Sequence, residues 1–199
     1  MKEAGKKLRP GGTKAPRVPP GQFLTEKLPV MTAMFAPRIP LEPWRLRITG
    51  LVARPVELDW EQFMAMPQVT MTSDFHCVTQ WSRLDNTWEG VRVRDALELA
   101  SPSPEAAFVM VHCHDGYTTN LGLAVLLEAD ALLAHHHDGL QLTPDHGAPM
   151  RLVLPQRYGW KSAKWVQGLE LLNEDSPGFW ELRGYHMRGD PWQEERFWD

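Results

Sequence analysis

Proline interrupts this sequence so often that long helices have little room to form. The 199 residues include 17 prolines and nine tryptophans, more of each than average usage predicts. Proline lacks the backbone N–H that a helix interior or a central strand requires. Four prolines in residues 23–43 predict an extended or looped segment that wraps the domain: Pro29, Pro37, Pro40 and Pro43. The distribution favours a loop-rich, β-containing fold over a helical bundle.

The periodicity of hydrophobic residues predicts the individual strands and helices. Alternating or continuous apolar runs predict strands over residues 44–49, 56–58, 69–77, 108–111, 151–154 and 165–172. Helical spacing predicts a short helix that begins after the N-cap Asp59 and ends at Met66, and a second helix over 93–100. A third is predicted over 121–133, with its second half helical or extended, and a last helical turn begins at Pro177. The sequence therefore predicts an α+β fold with a mixed sheet and short helices.

A change of composition marks the domain boundary. Residues 1–22 lack periodicity and hold six Lys or Arg residues against Glu3 alone, which predicts a flexible basic arm. Residues 23–199 fit one domain. The net charge of −4 does not favour a nucleic-acid partner.

Cysteine use and hydropathy bear on location. The chain has two cysteines, Cys77 and Cys113, fewer than a disulfide-stabilised secreted domain would use. No apolar leader follows the basic start, and no run approaches the length of a transmembrane helix. We therefore expect a cytoplasmic protein.

Cys77 stands where a predicted strand gives way to a polar loop. Such positions often carry reactive groups, and neighbouring His76 would help to form the thiolate of a nucleophile or a metal ligand. Cys113 lies inside an apolar run, as a buried structural thiol does.

A second segment, residues 145–165, gathers positive charge around a short strand. It contains Arg151, Arg157, Lys161 and Lys164, and the backbone N–H groups of Ser162 and Ala163 lie beside them. Guanidinium, ammonium and loop amides together suit a phosphate or carboxylate. A solvated basic loop is the alternative.

Histidine clusters raise the possibility of zinc. The residues concerned are His112, His114 and the run His135-His136-His137. Consecutive histidines on a strand point to opposite faces, and the chain has neither a Cys-x-x-Cys nor a His-Glu-x-x-His spacing. A zinc site is therefore not favoured.

Together these segments resemble the sulfite-oxidase-type molybdopterin-binding domain, from about Trp44 to Leu172. Three motifs carry the resemblance, and they occur in the family's order: Phe75-His76-Cys77-Val78-Thr79-Gln80-Trp81-Ser82, Asp145-His146-Gly147-Ala148-Pro149-Met150-Arg151, and Tyr158-Gly159-Trp160-Lys161-Ser162-Ala163-Lys164-Trp165. The resemblance implies the mixed-sheet fold of that family and a molybdenum–molybdopterin cofactor.

The resemblance also implies roles for particular residues. Cys77 would ligate molybdenum, since soft sulfur suits such a centre. The implied cofactor contacts are His146 on the pterin, with Arg151, Lys161, Ser162, Ala163 and Lys164 at its phosphate. Cys113 matches a position at which relatives carry a cofactor-contacting threonine.

Two departures from the family pattern concern the substrate. Sulfite oxidases have an active-site tyrosine where this chain has His135, which we expect to act as a hydrogen-bond donor, acid or base, with Asp115 and Tyr117 as weaker candidates. They also have a substrate-binding arginine where this chain reads Met31-Thr32-Ala33-Met34. Loss of that cation argues against a sulfite dianion.

The expected function is a two-electron oxygen-atom transfer on a small substrate. By comparison with larger relatives, no haem-binding domain precedes the fold, so we expect a separate electron-transfer partner. Oxidation of a sulfite-like substrate and reduction of an S- or N-oxide are both open. Two other classes also remain: a non-catalytic anion-binding module on the same scaffold, and a hydrolase or transferase with Cys77 as nucleophile.

Overall fold

Two β-sheets organise the chain. The structure is a computed structural model that describes residues 16–33 and 35–198. The first sheet contains β1 (Phe23–Leu24), β4 (Gln68–His76), β5 (Trp81–Arg92), β8 (Leu132–His137), β9 (Leu140–Gln141) and β10 (Arg151–Val153). The second contains β2 (Leu46–Gly50), β3 (Val56–Leu58), β6 (Phe108–Cys113), β7 (Thr118–Gly122) and β11 (Val166–Leu172).

Parallel and antiparallel pairs occur in both sheets. The first follows the path β1-β5-β8-β10, with β4 added on β5 and β9 on β8, and its β1–β5 pair is parallel. The second follows the order β3-β2-β11-β6-β7, and its β2–β11 pair is parallel. The predicted α+β, mixed-sheet fold is confirmed.

Helices are few and short. They are α1 (Trp60–Met64), α2 (Val93–Ala100) and α3 (Leu123–Leu126), with 3-10 turns at Pro144–His146, Gly159–Lys161, Glu181–Arg183 and Pro191–Gln193. In α1, Asp59 accepts the Gln62 N–H at 2.8 Å and its own N–H donates to the Gln62 side chain at 2.9 Å, a capping box. No helix in residues 16–33 and 35–198 has the length and apolar content needed to cross a bilayer.

Three sequence predictions of secondary structure are wrong or incomplete. The twelve-residue strand β5 occupies what was predicted as a polar loop. Of the predicted helix over 121–133, only α3 forms. Its first residues belong to β7 and its last residues to β8, because these segments pair with other strands. The turn predicted from Pro177 forms instead at Glu181–Arg183. Tertiary pairing overrides local helix propensity here.

The buried residues form two clusters. The larger packs α2 through its buried face, Val93, Ala96, Leu97 and Ala100, and includes Cys113. The smaller contains Phe75, Cys77, Trp81, Trp88 and Val153 on the first sheet. Burial of each large apolar side chain stabilises the folded state by about 1.5–3 kcal/mol. The two clusters therefore stabilise the strands that carry the site.

The described part of the predicted N-terminal arm packs on the domain. Arg17 Nε lies 2.8 Å from Asp74 Oδ2, the Trp192 indole donates to the Pro16 carbonyl at 2.6 Å, and Gln22 Nε2 donates to the Cys77 carbonyl at 3.1 Å. The predicted boundary at residue 22 stays a prediction, and these contacts join residues 16, 17 and 22 to the domain. Residues 1–15 of that arm lie outside the described residues.

Candidate active site

Cys77 occupies the turn of the β4–β5 hairpin. Its N–H donates to the Trp81 carbonyl at 2.9 Å, and its carbonyl accepts from Gln80 N–H at 3.1 Å. Gln80 has a left-handed φ of 74°, which closes the turn. Arg196 Nη1 braces the turn from the C-terminal segment by donating to the Val78 carbonyl at 2.5 Å. These contacts fix the position of the thiol.

The Cys77 thiol lies in the wall of a cavity. The residue is 6% exposed, and its sulfur is 3.2 Å from Thr79 Oγ1. Burial raises the pKa of the Cys77 thiol, and its contacts with Thr79 only partly oppose this. His76 Nδ1 is engaged by Ser82 Oγ at 2.8 Å. A thiol with a raised pKa is poorly suited to be a free nucleophile, but a metal ion would stabilise its thiolate.

Arg151, on β10, brings a buried positive charge to the same cavity. It is 3% exposed and lies over the rings of Phe75 and Trp88, with its Cζ 5.3 Å and 5.4 Å from their centroids. It donates to the carbonyls of His146 at 3.2 Å and Ser162 at 3.0 Å. Burial lowers the pKa of Arg151 to about 10.

Lys164 supplies a second cation. Its Nζ donates to the Asp145 carbonyl at 2.6 Å and lies 5.0 Å from the Trp165 ring centroid. Burial, followed by the nearby charge of Arg151, lowers the pKa of Lys164 to about 7. Neither cation forms an ion pair with a carboxylate within residues 16–33 and 35–198. One buried cation and one half-buried cation, neither in a carboxylate ion pair among these residues, therefore lie beside one cavity and favour an anionic ligand.

Gly147 allows the two cationic segments to meet. Its φ is 104°, and a Cβ there would lie 3.0 Å from the Cβ atoms of both Arg151 and Lys164. The glycine of the Asp145-His146-Gly147 motif is thus needed for both conformation and space. Arg151 and Lys164 also form an isolated antiparallel bridge.

Ser162 and Ala163 lie between the cations, as predicted, and both line the cavity. The Ser162 N–H is already used by the Gly159 carbonyl at 3.1 Å, and Ser162 Oγ accepts from Leu154 N–H at 3.0 Å. The Ala163 N–H donates no backbone hydrogen bond to another described residue. Of the predicted pair of amides, only that of Ala163 is free for an anion.

His146 also lines the cavity. Its Nε2 contacts the Leu28 carbonyl at 3.0 Å, and its Nδ1 contacts Thr143 Oγ1 at 3.0 Å. With Nε2–H as donor and Nδ1 as acceptor, both ring nitrogens are satisfied. In this state His146 anchors the N-terminal segment, and a contact with the pterin stays a prediction.

Three predicted cofactor or catalytic residues lie outside the cavity wall. Lys161 is fully buried and pairs with Glu181, with its Nζ 2.6 Å from Oε1. Cys113 is buried in the larger core. Each is enclosed by the protein interior, and cofactor contact by either residue stays a prediction.

His135 is also placed elsewhere. Its ring packs edge-on against Trp60 and Phe63, each at 6.3 Å between centroids, and its Nε2 lies 3.0 Å from Gln68 Oε1. It is not part of the described cavity wall, and a catalytic role for His135 stays a prediction. Of the two weaker candidates, Tyr117 lines the cavity, whereas Asp115 only accepts the Tyr117 N–H at 3.0 Å.

Both ends of the described chain add wall residues that the motifs did not reveal. The N-terminal segment contributes Leu28, Pro29, Met31, Thr32 and Ala33, and the C-terminal segment contributes Trp180 and Tyr185. The proline-rich stretch predicted a wrapping segment, which is a signal for the first group. Met34, predicted in the same stretch, lies outside the described residues.

The metal-binding capacity of the described residues is limited. Residues 16–33 and 35–198 contain no group of three or more His, Cys, Asp or Glu side chains arranged to hold a metal ion. One cysteine thiol, two cations and a free amide around one cavity therefore suit a metal that an anionic organic cofactor carries.

Comparison with known proteins decides the family. Residues 33–180 match the family model described as the oxidoreductase molybdopterin binding domain. This chain belongs to that family. The resemblance found in the sequence is confirmed, and the protein is a molybdopterin-binding oxidoreductase with a molybdenum cofactor.

Curated relatives share the molybdopterin-binding domain. The chain is 49% identical over 185 residues to "Uncharacterized oxidoreductase YuiH" of Bacillus subtilis, which covers 92% of this chain and 93% of YuiH. It is 33% identical to the protein-methionine-sulfoxide reductase catalytic subunit MsrP of Gluconobacter oxydans, over 69% of this chain and 50% of MsrP. It is 29% identical to sulfite oxidase of Arabidopsis thaliana, over 74% of this chain and 46% of that enzyme. The chain thus spans about half the length of MsrP and of sulfite oxidase.

A solved structure supports the fold. The sulfane dehydrogenase SoxCD of Paracoccus pantotrophus matches with a TM-score of 0.65 and 23% identity, over 70% of this chain and 41% of that chain. At this identity, the match concerns the molybdopterin-oxidoreductase fold alone.

The cavity fits the molybdenum cofactor of the family. Cys77 would present a thiolate ligand, and Arg151, Lys164 and the Ala163 amide would present the charge and the hydrogen bond that a phosphate requires. Phe75, beneath Arg151, adds an aromatic wall. The roles of the individual residues are predictions that mutagenesis must test.

Proposed function

We propose that this enzyme reduces a small, neutral S- or N-oxide by a two-electron oxygen-atom transfer. The balanced reaction consumes the oxide, two electrons and two protons, and yields the thioether or amine and water. The observation that carries the proposal is the position of Cys77 in one cavity with the buried Arg151 and the half-buried Lys164, neither of which has a carboxylate ion-pair partner among the described residues. The bound cofactor supplies the two-electron redox chemistry.

The protein residues have separate tasks in this proposal. Cys77 holds the molybdenum, and its hairpin turn fixes the direction of the sulfur. Arg151, Lys164 and the Ala163 N–H bind the phosphate. Thr79 Oγ1, 3.2 Å from Cys77 Sγ, donates a hydrogen bond that stabilises the negative charge of the thiolate.

The cavity wall favours a neutral substrate. Its described lining contains only two Lys or Arg side chains, Arg151 and Lys164, and the proposal assigns both to the cofactor phosphate. Where sulfite oxidases have an arginine, this wall presents Met31, Thr32 and Ala33. An oxyanion such as sulfite or nitrate would find no further Lys or Arg side chain in the described lining to offset its desolvation. A neutral oxide carries no such cost.

Electrons are proposed to come from a separate redox protein. Two relatives support this: MsrP is named a catalytic subunit, and an Azospira oryzae relative, 32% identical over 73% of this chain, is named a putative protein-methionine-sulfoxide reductase subunit. A reduced viologen dye can replace the partner in an assay.

A cytoplasmic location is also proposed. Cys77 and Cys113 are both buried and free, as thiols are in a reducing compartment. Cell fractionation of the producing organism tests this, and recovery of the protein outside the cytoplasm would refute it.

The functional test uses protein from a host that makes the molybdenum cofactor. Purified enzyme is analysed for molybdenum and assayed with dimethyl sulfoxide, methionine sulfoxide and trimethylamine N-oxide under reduced viologen, and with sulfite under an artificial electron acceptor. We expect about one molybdenum per chain, the stoichiometry of a single cofactor site, and faster turnover of a neutral oxide than of sulfite. Faster sulfite oxidation would overturn the substrate proposal. Absence of molybdenum, with alkylation of Cys77 by iodoacetamide, would support the cysteine-nucleophile alternative instead.

A further inference from the structure

Tyr185 is held at the cavity by three aromatic neighbours. Its ring stacks on Trp180 at 4.8 Å and 22°, and meets Trp160 and Phe197 edge-on at 5.0 Å and 5.2 Å. It lies directly after Gly184, whose φ of 93° turns the chain back at the end of the 3-10 turn Glu181–Arg183. The direction of the ring is therefore set by packing on several sides.

Most hydroxyl groups of the cavity wall are already engaged. Tyr117 donates to the Trp160 carbonyl at 2.7 Å, Thr79 contacts Cys77 Sγ, and Ser162 accepts from Leu154. The Tyr185 hydroxyl has no hydrogen-bond partner in residues 16–33 and 35–198, and Tyr185 lines the same cavity as Cys77. Because the Tyr185 hydroxyl can donate a hydrogen bond into a ligand cavity, a role for Tyr185 in ligand binding is favoured.

The electrostatic environment keeps this hydroxyl protonated. Burial raises the pKa of Tyr185, and the negative charge of a Cys77 thiolate raises it further. Tyr185 and the predicted metal ligand Cys77 line the same cavity. The group is therefore a hydrogen-bond donor throughout the physiological pH range.

We propose that the Tyr185 hydroxyl donates a hydrogen bond to the oxygen atom of the bound substrate. This inference rests on the proposed function, since it assumes a neutral oxide. An S–O or N–O oxygen carries partial negative charge and accepts strongly, whereas the thioether or amine product has lost that oxygen. The hydroxyl thus binds substrate in preference to product and holds the substrate oxygen on the side of the cavity where Cys77 lies. Tyr185 contributes no net proton to the balanced reaction.

The test compares Tyr185→Phe and Tyr185→Leu in the holoenzyme. Phenylalanine keeps the ring that contacts Trp180 and removes only the hydroxyl, whereas leucine removes both. Rates are expressed per bound molybdenum. We expect Tyr185→Phe to retain the molybdenum content and to lower kcat/KM for the best neutral oxide by about 10- to 100-fold. A purely structural role predicts a normal Phe variant and a defective Leu variant, which would overturn the proposal.

Binding without turnover gives a second measurement. Oxidised holoenzyme has no electrons with which to reduce dimethyl sulfoxide, so its dissociation constant can be measured by calorimetry. Loss of one hydrogen bond should raise the dissociation constant of Tyr185→Phe about tenfold. If wild type reduces no oxide but shows this Tyr185-dependent binding, the proposed function fails and the hydroxyl role stands. If binding and kcat/KM are both unchanged in Tyr185→Phe, or if Thr32→Val shows the loss instead, the hydroxyl role fails.

Discussion

Lys161 and Glu181 form an ion pair in the protein interior, with Lys161 Nζ 2.6 Å from Glu181 Oε1 and both side chains fully buried. Asn120 accepts from the same ammonium through its side-chain oxygen at 2.7 Å. Glu181 Oε1 also accepts from the Trp160 indole at 2.8 Å. The pair therefore ties the C-terminal segment to the loop that follows β10 and lines the cavity.

Breaking this pair should destabilise the fold. Lys161→Met leaves the Glu181 carboxylate buried without its cation, and we expect the free energy of unfolding to fall by about 3–5 kcal/mol. Chemical denaturation of the cofactor-free protein measures it. Arg47→Met is the matched control, because the Arg47–Glu57 pair is exposed and should cost at most about 1 kcal/mol. Equal losses in the two variants would contradict the prediction.

The two cysteines should separate metal binding from stability. Cys77→Ser should abolish molybdenum retention and turnover, whereas the cofactor-free variant should melt close to the cofactor-free wild type, because the residue lies in a braced turn at the cavity. Cys113→Ala should retain molybdenum per folded chain but lose about 1–2 kcal/mol of stability, because it removes a sulfur from the larger core. Metal analysis and thermal unfolding are measured on both. Full molybdenum content in Cys77→Ser would refute the ligand assignment.

Anion binding by the cofactor-free protein should weaken above neutral pH. The pKa of Lys164 is lowered to about 7, so below pH 7 the ammonium is charged and attracts an anion. As pH rises above 7 the free protein loses this proton, and binding must recover it, so affinity should fall by up to about tenfold per pH unit. Sulfate is the suitable probe because its charge is constant over this range. Its dissociation constant is measured by calorimetry from pH 6 to 9, with Lys164→Met as the control that should lack the dependence.

The same lowered pKa has the opposite effect on folding. The unfolded chain holds the Lys164 proton to a higher pH than the folded chain does, so the cofactor-free protein should become more stable as pH rises from about 7 towards 10. Denaturation at several pH values, with Lys164→Met for comparison, measures this contribution. A wild-type slope equal to that of the variant would contradict it.

His135 should act as a packing residue. In His135→Gln the contacts with Trp60 and Phe63 weaken, and we expect a loss of about 1–2 kcal/mol in stability. Turnover per bound molybdenum should change less than about twofold, since the residue is not in the described cavity wall. A large fall in kcat at unchanged stability would restore the catalytic assignment.

Sequence periodicity identified α2 and the strands with clear apolar patterns, but it missed β5. The strand Trp81–Arg92 contains Ser82, Asp85, Asn86 and Gly90, residue types that are typical of turns. Its pairing with β4 and β8 includes register shifts, and Asp85 has a φ of 56°, so the strict alternation of a strand is broken. This segment forms a strand because it pairs with β4 and β8, and a short stretch of sequence does not reveal that pairing.

The motifs located one half of the candidate site. Cys77, His146, Arg151 and Lys164, the residues that the family resemblance implied, lie on the cavity wall. Trp180 and Tyr185 carry no motif, because their position depends on the return of the C-terminal segment. Lys161 and His135 carried the expected residue types, but their side chains face the interior. Orientation depends on the packed structure and not on composition.

The cavity wall is drawn from nearly the full span of the described chain. Leu28 near one end is joined to His146 by a hydrogen bond, and Trp180 and Tyr185 near the other end complete the enclosure. During synthesis the cysteine hairpin leaves the ribosome long before these last residues do, so the binding chamber can be finished only after translation has passed residue 185. A prosthetic group enclosed by the whole of this wall therefore requires residues from both ends of the described chain.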